Sequence, residues 1–549
     1  MKRYAHVLLM AAIVCFASSD ILGQGIRATV VGRVTDQSGA IVPGVKITIT
    51  NAATNESRSA VTSDTGDYAL PQLPPGDYNL TTEMTGFSKV SQRFVLETGQ
   101  GARVDIVLKA GAITEEVAVT AISPLVSTEN ASIGNVVDQK KIVELPLNGR
   151  DYLQLAQLQP NVFAPAQNST VGFRGGFNVS GNSEVANNYI KDGIDNNDET
   201  TNQPLHRPIL DAVLEFKVLT GTYGAEYGRQ AGGQIIVTTK SGSNVFHGSA
   251  YEFHRNSVLD ARNFFAPTKP SFRRNQFGGV VGGPIRRDRT FFFGGYEGQR
   301  RGQQEAGLAT VPTLAMKQGD FGALLPGTVL RNPFNNDQPF TDNKIPQSMW
   351  NAQGAGLLAL YPSPNATGSQ NNFVSAGTGS FRIDQFSGRI DHRISDTDNV
   401  FGVYEFADSK EFYPISNPLC SARDVPGWGC DEKQRTQHVA LAWIHIFGPR
   451  LVNEARIGYS RFGFYRLQQD RDVDVVNRLG IKGLTDAGRT PFNNGSPELQ
   501  VTGFSTIGGP TNLPQGRHDN TYHYIENMTF NTGKHSLKWG LDIRRVLFN

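Results

Sequence analysis

Residues 215–240 read EFKVLTGTYGAEYGRQAGGQIIVTTK. The stretch predicts a short strand from Glu215 to Leu219, a glycine-rich segment, and a second strand from Gln234 to Lys240. Glycine suits tight turns and close backbone approach, which a side chain would block. The residues that define this motif are Gly221, Tyr227, Gly228, Gly232, Gly233 and Lys240. The pattern predicts two strands joined by a segment of small residues.

The composition agrees with a β protein rich in turns. The chain has 549 residues, enough for several domains. It contains 59 glycines and only 38% hydrophobic residues, which is unlike a tightly packed α/β enzyme. The net charge of +2 gives no indication of a nucleic-acid partner.

The N-terminus predicts a signal peptide over residues 1–25. Lys2 and Arg3 form a basic start, and an apolar run follows from Val7 to Ala17. No later apolar run is long enough for a transmembrane helix. An exported chain of this kind is either soluble or a β-barrel, whose alternating strands escape hydropathy averages.

Cys420 and Cys430 are the two cysteines that remain after the signal peptide, which contains Cys15. They lie in the segment CSARDVPGWGC, and an oxidising compartment favours a disulfide between them. The alternative is two free thiols in a flexible loop. The spacing matches no zinc motif, so we expect no metal site here.

Residues 26–110 predict a small β-sandwich. Short alternating runs are separated by turns at D-x-x-G, P-G and P-P-G. We expect these side chains to face inward: Val31, Val34, Val45, Ile47, Ile49, Tyr68, Leu70, Tyr78, Leu80, Val104, Ile106 and Leu108.

This unit resembles the carboxypeptidase regulatory-like (transthyretin-like) domain. The resemblance rests on Gly32-x-Val34, Pro43-Gly44-Val45, Thr65-Gly66-x-Tyr68, Leu73-Pro74-Pro75-Gly76-x-Tyr78 and Gly86-Phe87. It implies no catalytic machinery. A role as spacer or interaction module and a role in carbohydrate binding both stay open.

The stretch at 215–240 resembles the end of the plug domain of TonB-dependent outer-membrane receptors. The segments NNYIKDGIDN (187–196), FRRNQFGG (272–279) and TFFFG (290–294) resemble the Oar-like branch of that family. The resemblance implies a plug over 131–243 and a β-barrel over 244–549. The acidic residues 192–199 could suggest calcium, but their spacing fails the EF-hand pattern, so we expect a solvated loop or the plug apex.

A linker over 111–130 separates the sandwich from the plug. Part of it resembles a TonB box, the segment that pairs by strand addition with a periplasmic energy-coupling protein. A plain linker strand between two domains is the alternative. The residues of the candidate box are Glu115, Glu116, Val117, Ala118, Val119, Thr120 and Ala121.

From residue 244 onward the chain alternates between β segments and connections. In one run, Phe386 and Ile390 share an apolar face while Arg389 and Asp391 share a charged face. Short turns at 286–289, 395–399, 448–450 and 532–534 alternate with long loops at 256–273, 299–380, 408–433 and 467–518. This asymmetry is typical of outer-membrane barrels, with short periplasmic turns and long outside loops.

The sequence therefore predicts a mainly β fold: an N-terminal sandwich, an α+β plug, and the first strands of an antiparallel transmembrane barrel. About nine barrel strands are recognisable, against 22 in outer-membrane transporters, so we expect an N-terminal fragment.

The resemblance implies energised uptake of a siderophore, glycan or peptide across the outer membrane. The expected partners are a TonB-type protein, outer-membrane lipid and the ligand, with the N-terminal domain in the periplasm. We find no catalytic motif and expect neither enzymatic activity nor a cofactor. The alternatives are a surface protein for adhesion or carbohydrate binding, and a nonfunctional truncated receptor.

Overall fold

A computed structural model describes residues 27–111, 116–124, 131–164, 176–262, 264, 269–415, 420, 424–448, 450–484, 494–532 and 535–549. Strands dominate, and they form three main regions that follow one another along the chain. No helix in these ranges is long and apolar enough to cross a membrane. The predicted signal peptide lies outside the described residues.

The N-terminal region is a two-sheet sandwich. One sheet has the strand order β3-β2-β5-β6-β9, and the other has the order β4-β1-β7, with β8 also pairing with β1. The strands are β1 (Ala28–Asp36), β2 (Lys46–Asn51), β3 (Ser57–Val61), β4 (Asp67–Leu73), β5 (Gly76–Glu83), β6 (Lys89–Leu96), β7 (Gly101–Arg103), β8 (Ile106–Leu108) and β9 (Glu116–Pro124).

The sandwich is closed by an apolar core to which both sheets contribute. Eleven of the twelve inward side chains predicted from the sequence are buried. Val31 is the exception, because β1 buries the alternate positions Val30 and Val34 and leaves Val31 half-buried. The Tyr68 hydroxyl donates a hydrogen bond of 2.7 Å to the Val104 carbonyl, which fixes the chain after β7 against β4.

The second region is built on a five-stranded sheet with the order β10-β15-β16-β13-β14. The predicted strand at 215–219 extends over Val213–Gly221, and its partner at 234–240 covers Gln234–Thr239. The strands are β10 (Ile133–Asp138), β11 (Val162–Phe163), β12 (Asn178–Val179), β13 (Asn188–Lys191), β14 (Ile194–Asp195), β15 (Val213–Gly221) and β16 (Gln234–Thr239).

Short helices pack against this sheet. Helix α1 (Gln139–Glu144) begins at Asp138, whose side chain accepts a hydrogen bond from the Lys141 backbone N–H at 3.0 Å. A 3₁₀ helix, Tyr152–Leu158, packs Leu153 and Leu155 into the core. Shorter 3₁₀ turns occur at Glu184–Ala186 and Leu210–Ala212.

The third region is an antiparallel sheet of nine strands, ordered as they occur in the chain. Its strands are β17 (His247–Asn256), β18 (Phe272–Arg286), β19 (Thr290–Ala309), β22 (Phe373–Arg393), β23 (Asp398–Tyr413), β24 (Cys430–Gly448), β25 (Leu451–Gln468), β26 (Gln515–Thr532) and β27 (His535–Leu547). The short strands β20 (Arg331–Asn332) and β21 (Gln338–Pro339) lie between β19 and β22. This sheet is hereafter the barrel sheet.

The connections of the barrel sheet are short at one end and long at the other. At each predicted short turn the next strand begins within a few residues, as from Arg286 to Thr290. At the other end the predicted loop at 299–380 is too long, because β19 continues to Ala309 and β22 begins at Phe373. The ends of these long strands are polar and contain glycine, so their sequence resembles that of a loop.

The alternation predicted for the barrel strands is confirmed. Phe386 and Ile390 are 50% and 53% exposed on the outer face, whereas Gln385 and Ser387 are buried on the inner face. The long connections contain helices α2 (Leu314–Lys317), α3 (Ala352–Leu358) and α4 (Val475–Arg478), and 3₁₀ turns at Ser257–Leu259, Gly322–Leu324, Thr341–Asn343 and Gln347–Met349.

Candidate functional site: the plug–barrel interface

The five-stranded region occupies the inner side of the barrel sheet, as a plug would. Two of its motif glycines stand where the backbone leaves no room for a side chain. A Cβ on Gly232 would lie 2.6 Å from the Ala186 carbonyl oxygen, and one on Gly233 would lie 2.7 Å from the Val179 side chain. Gly221 and Gly228 have no such neighbour within 4 Å among the described residues, so close approach does not explain them.

Of the other two motif residues, Tyr227 packs within the glycine-rich loop and Lys240 lies beyond it. Tyr227 packs edge-on against Tyr223, with ring centroids 6.3 Å apart. The Tyr223 hydroxyl is within hydrogen-bond distance of the carbonyl oxygens of Gln230 and Gly232, at 3.2 and 3.1 Å. The backbone N–H of Lys240 donates to the Ala212 carbonyl at 2.8 Å, and burial lowers the pKa of the Lys240 ammonium. The tyrosine contacts give the loop after β15 a defined shape, whereas the Lys240 bond ties the end of β16 to the turn Leu210–Ala212.

A buried ion pair connects the plug to the inner face of the barrel sheet, hereafter the barrel wall or simply the wall. Lys191 of β13 pairs with Glu405 of β23, and both side chains are fully buried. The Nδ1 atom of His206 lies 3.1 Å from the Lys191 ammonium. Burial, with the charge of Lys191 added, lowers the pKa of His206 well below its ordinary value, so the imidazole is neutral. This cluster contains one positive and one negative charge in a buried interface.

A second contact involves the turn that follows β13. The Asp192 carboxylate accepts a hydrogen bond of 3.0 Å from the Thr239 backbone N–H and lies 3.4 Å from Arg389 of the barrel wall. Asp195 pairs with Arg229 at 3.0 Å and with Arg544 of β27 at 3.1 Å. The plug thus meets the wall through several compensated charges.

These contacts correct the prediction of a solvated loop at 192–199. Asp192 and Asp195 are 1% and 2% exposed, and the neighbouring asparagines are buried as well. Their partners in the barrel wall, Arg389 and Arg544, lie 197 and 349 residues away in the chain. No local pattern predicts a pairing over such a distance.

The same turn packs closely against the wall. Gly193 has a φ of +82°, and a Cβ there would lie 1.8 Å from a guanidinium nitrogen of Arg456. On the opposite side, a Cβ on Gly458 would lie 2.3 Å from the Ile194 side chain. A glycine on each partner therefore allows the plug and the wall to interlock.

The candidate TonB box forms the last strand of the sandwich. Its backbone runs parallel to β6, with Lys89 opposite Glu116 and Ser91 opposite Ala118. Glu115 lies outside the described residues. In the sheet order β9 is an edge strand, so one side of its backbone has no strand partner among the described residues.

The sandwich contacts the plug through the turn after β6. The Thr98 hydroxyl is 2.9 Å from that of Thr238, and the Lys217 ammonium donates to the Thr98 carbonyl at 3.1 Å. The Thr98 backbone N–H also donates to the Glu215 carboxylate. Burial in this contact raises the pKa of Glu215 to about 7.

The sandwich also contacts the short-turn end of the barrel sheet. Asn55 donates a hydrogen bond of 2.9 Å to Asp288, in the turn between β18 and β19. Asn399, at the start of β23, donates one of 2.9 Å to Glu56. The sandwich and β9 therefore lie at the end of the barrel sheet opposite the long loops.

A cavity of about 720 Å³ lies between the plug and the inner face of the barrel sheet, toward the long loops. Gln203 lines it, is 5% exposed, and neither polar atom of its amide has a hydrogen-bond partner in the described chain. One carboxylate oxygen of Glu305 and the Thr201 hydroxyl are likewise buried without a hydrogen-bond partner in the described chain. The cavity is also lined by the amides of Asn148, Gln154, Gln299, Gln303, Gln385 and Gln434. Buried polar groups without a protein partner leave the lining of this cavity able to hydrogen-bond to water or to a ligand.

Cys420 and Cys430 lie side by side where β24 begins, with Cα atoms 6.2 Å apart and their sulfurs joined. Both are buried, next to Tyr413. This Cα separation is within the usual range for a disulfide. The disulfide of the native protein stays a prediction, which peptide mapping under non-reducing conditions would test.

Comparisons with known proteins agree with this architecture. The family model for the outer membrane beta barrel domain matches residues 238–549, and that for the carboxypeptidase regulatory-like domain matches residues 29–109. The TonB-dependent transporter Oar of Myxococcus xanthus is 30% identical over 287 residues. That alignment covers 49% of this chain and 26% of Oar, so the chain spans about a quarter of this relative's length.

Two solved structures are similar over most of the chain. The outer membrane transporter YddB from Escherichia coli matches with a TM-score of 0.46 and 11% identity, covering 74% of this chain and 47% of YddB. The siderophore receptor PirA from Acinetobacter baumannii matches with a TM-score of 0.43 and 14% identity, covering 76% of this chain and 48% of PirA. With its barrel-domain match and its transporter relative, the chain belongs to the outer membrane beta barrel domain family and is an outer-membrane homologue of the TonB-dependent transporters.

Proposed function

We propose that the protein is a TonB-dependent receptor that takes up a polar ligand across the outer membrane. The observation that carries the proposal is the position of β9, an edge strand at the short-turn end of the barrel sheet, directly before the plug in the chain. An energy-coupling protein in the periplasm can reach a strand at that end. The division into signal peptide, sandwich, linker, plug and barrel, with bounds at 25, 110, 130 and 243, is part of this proposal.

The coupling step is strand addition to β9. The backbone of a TonB-type partner pairs with the free edge of β9 or replaces β6 as its neighbour. In both cases β9 leaves β6, its neighbour in the resting protein, either under load or when the partner takes the place of β6. The chain then leads from Pro124 to β10, which is itself the edge strand of the plug sheet. Force is thus delivered to a strand of the plug that has a single neighbour in its sheet.

Movement of the plug requires that its contacts with the wall can break. The contacts around Lys191, Asp192 and Asp195 are charged, and water can solvate each partner once they separate. An apolar interface would resist wetting. The ionic contacts therefore support a plug that can be drawn away from the wall by a mechanical load.

The ligand enters from the long-loop end and binds in the cavity near Gln203. The lining carries seven amide side chains and the aromatic rings of Phe381, Tyr413 and Phe462. Amides and aromatic faces suit a glycan or a peptide, and arginines such as Arg301 also allow an anionic siderophore. These three ligand classes are the candidates for an uptake screen.

The test is a deletion of residues 115–121 in the native protein, expressed in cells that contain the energy-coupling system. Uptake of fluorescent ferric siderophores, oligosaccharides and peptides is compared with binding of the same probes. We expect uptake to be lost and binding to be kept, because the deletion leaves the outside cavity unchanged. A control deletion of equal length in the exposed loop at 331–337 should leave coupling intact.

Uptake that continues without residues 115–121 would contradict the box assignment. Binding of glycans at the cell surface with no TonB-dependent uptake of any probe would favour the alternative, a surface protein for adhesion or carbohydrate binding.

A further inference from the structure

Four cations form one row across the outer face of the barrel sheet. Arg300 of β19 stands opposite Arg382 of β22, Arg382 opposite Lys410 of β23, and Lys410 opposite Lys433 of β24. Directly opposed residues in antiparallel strands have Cβ atoms about 4.5–5.5 Å apart, and like charges there repel. A row of this kind on four consecutive strands needs anions close by. We call these four residues the cation row.

The cation row lies on the face that points away from the plug. Arg382 and the exposed Phe386 and Ile390 occupy alternate positions of β22 and so share one side of the sheet. Lys410 shares that side of β23 with Tyr404, which is 48% exposed. The row therefore continues the apolar outer surface instead of lining the inner cavity.

The height of the row places it at the outer boundary of the membrane. Arg382 lies 11 residues from the short-turn end of β22 at Arg393. At about 3.3 Å per residue and a tilt of about 40°, this is roughly 28 Å along the membrane normal, against an apolar band of about 25 Å. Tyr296, Phe386 and Phe406 stand below the row on the same face, in register with one another, as an aromatic girdle does.

The protein itself supplies few counterions to the row. Arg300 lies 2.6 Å from Asp384, and Arg382 reaches the same carboxylate at 3.5 Å. Lys410 and Lys433 are exposed and make no ion pair within the described part of the chain. The nearby Asp431 is engaged by Arg471 at 2.7 Å. Among the described residues, Asp384 is thus the one carboxylate that pairs with members of the cation row.

The acidic residue below the row on β23 is also engaged. Asp408 pairs with Arg435 at 2.8 Å, which adds a fifth cation to this side of the sheet. The cation row and Arg273 line one groove of about 590 Å³, and the acidic residues of its lining, Glu411, Asp431 and Glu432, are each paired with an arginine. The groove is open to the surroundings of the barrel at the level where lipid headgroups lie.

We propose that the cation row binds the phosphate groups of a phosphorylated lipid in the outer leaflet. Arginine binds phosphate through paired N–H groups, and lysine contributes a point charge. A lipid whose acyl chains pack on Phe386 and Ile390 carries its headgroup at the height of the row. The apolar surface and the cations thus fit the two ends of one molecule, and the lipid's phosphates supply the negative charge that the protein does not.

The test uses the full chain, purified in a neutral detergent, and a diphosphorylated glucosamine lipid as the probe. Bound lipid is counted by native mass spectrometry for the wild type and for the variant Lys410→Gln/Lys433→Gln. We expect the variant to bind the phosphorylated lipid roughly tenfold more weakly, because two phosphate-facing charges are lost. The same lipid without phosphates should bind the wild type and the variant equally weakly.

Two controls distinguish binding at the cation row from a general effect of charge or of folding. The variant Lys109→Gln/Lys140→Gln removes the same charge from exposed positions of the sandwich and the plug, and should bind lipid as the wild type does. Equal proteolytic resistance of the barrel strands in all variants shows that folding is unchanged.

The proposal is overturned if Lys410→Gln/Lys433→Gln binds the lipid as tightly as the wild type. It is also overturned if glucosamine phosphate without acyl chains binds the row as well as the lipid does, which would indicate a soluble ligand.

Discussion

The sandwich core and the plug–wall interface are both buried, but the interface adds buried ion pairs to its apolar contacts, which include Ile194 and Ile209 of the plug. The sandwich closes over an apolar cluster that includes Ile47, Leu80 and Phe94, all fully buried. The plug meets the wall also through Lys191 and Asp195, which are almost as deeply buried and pair with charged residues of the barrel. Apolar burial stabilises in proportion to the area that is removed from water. A buried ion pair gains little in net terms, since desolvation offsets the attraction.

This difference indicates that the sandwich stays folded during uptake and that the plug moves. An apolar core loses its stabilisation as soon as water enters. A charged interface becomes hydrated on separation, so its open state is less unfavourable. The sandwich is therefore expected to remain folded under load, while the plug separates from the wall.

The largest effect is expected from breaking the ionic interface on one side only. Lys191→Met leaves the buried Glu405 carboxylate without its cation, and we expect a loss of about 3–5 kcal/mol in the stability of the docked plug. Proteolysis of the plug in urea, followed by mass spectrometry, measures it. A loss below about 1 kcal/mol would show that the charge of Glu405 is compensated in another way.

The matched control is the double variant Lys191→Met/Glu405→Leu. Replacing both partners with apolar residues removes the uncompensated charge, so docking should recover to near the wild-type level. The same variant should nevertheless reduce uptake, because its interface no longer becomes hydrated on opening. Full uptake by the double variant would separate plug movement from the ionic interface.

A core substitution in the sandwich should have a smaller and local effect. Leu80→Ala removes a fully buried side chain and is expected to cost about 3 kcal/mol through lost burial and a cavity. Hydrogen exchange should then increase in β2 and β5 while the plug sheet remains protected. Equal loosening of the plug sheet would contradict the view that the two regions are held separately.

The contact between the sandwich and the plug should depend on pH. This is the smallest of the expected effects. The pKa of Glu215 is raised to about 7 by burial against Thr98, from an ordinary value of 4.5. A raised pKa favours docking below pH 4.5, and this contribution is lost as the pH rises through about 7. The protection factors of the amides at Thr98 and in β15, which are corrected for the pH dependence of intrinsic exchange, should therefore be larger at about pH 5.5 than at about pH 8. Glu215→Gln should abolish the difference, and a difference that persists in this variant would assign it to another group.

The sequence was a reliable guide wherever a feature is local. Turn residues and strand alternation predicted the sandwich, the two plug strands and the short turns of the barrel sheet to within a few residues. The errors at Val31 and at the ends of the long loop between β19 and β22 are errors of register and of strand length. Neither is marked by a local signal, because polar residues occupy both loops and the strand ends beyond the membrane.

The plug–wall site could not be predicted to the same degree. The segment at 187–196 was identified as a family motif, but the acidic residues 192–199 were expected to form a solvated loop or the plug apex. Glu405 and Arg389 look like ordinary inner-face residues of a barrel strand, and only the fold brings them to Lys191 and Asp192. The parallel pairing of β9 with β6 was likewise missed, because a strand's partner is not written in its own residues.

The proposed coupling mechanism requires that β9 leaves β6 during uptake. Ser91 and Ala118 stand opposite each other in register, so the variant Ser91→Cys/Ala118→Cys can lock the two strands with a disulfide. Uptake is measured in cells before and after mild reduction, with each single variant as control. We predict that the oxidised double variant binds ligand but takes up none, and that reduction restores uptake. Full uptake with the strands locked would contradict the mechanism.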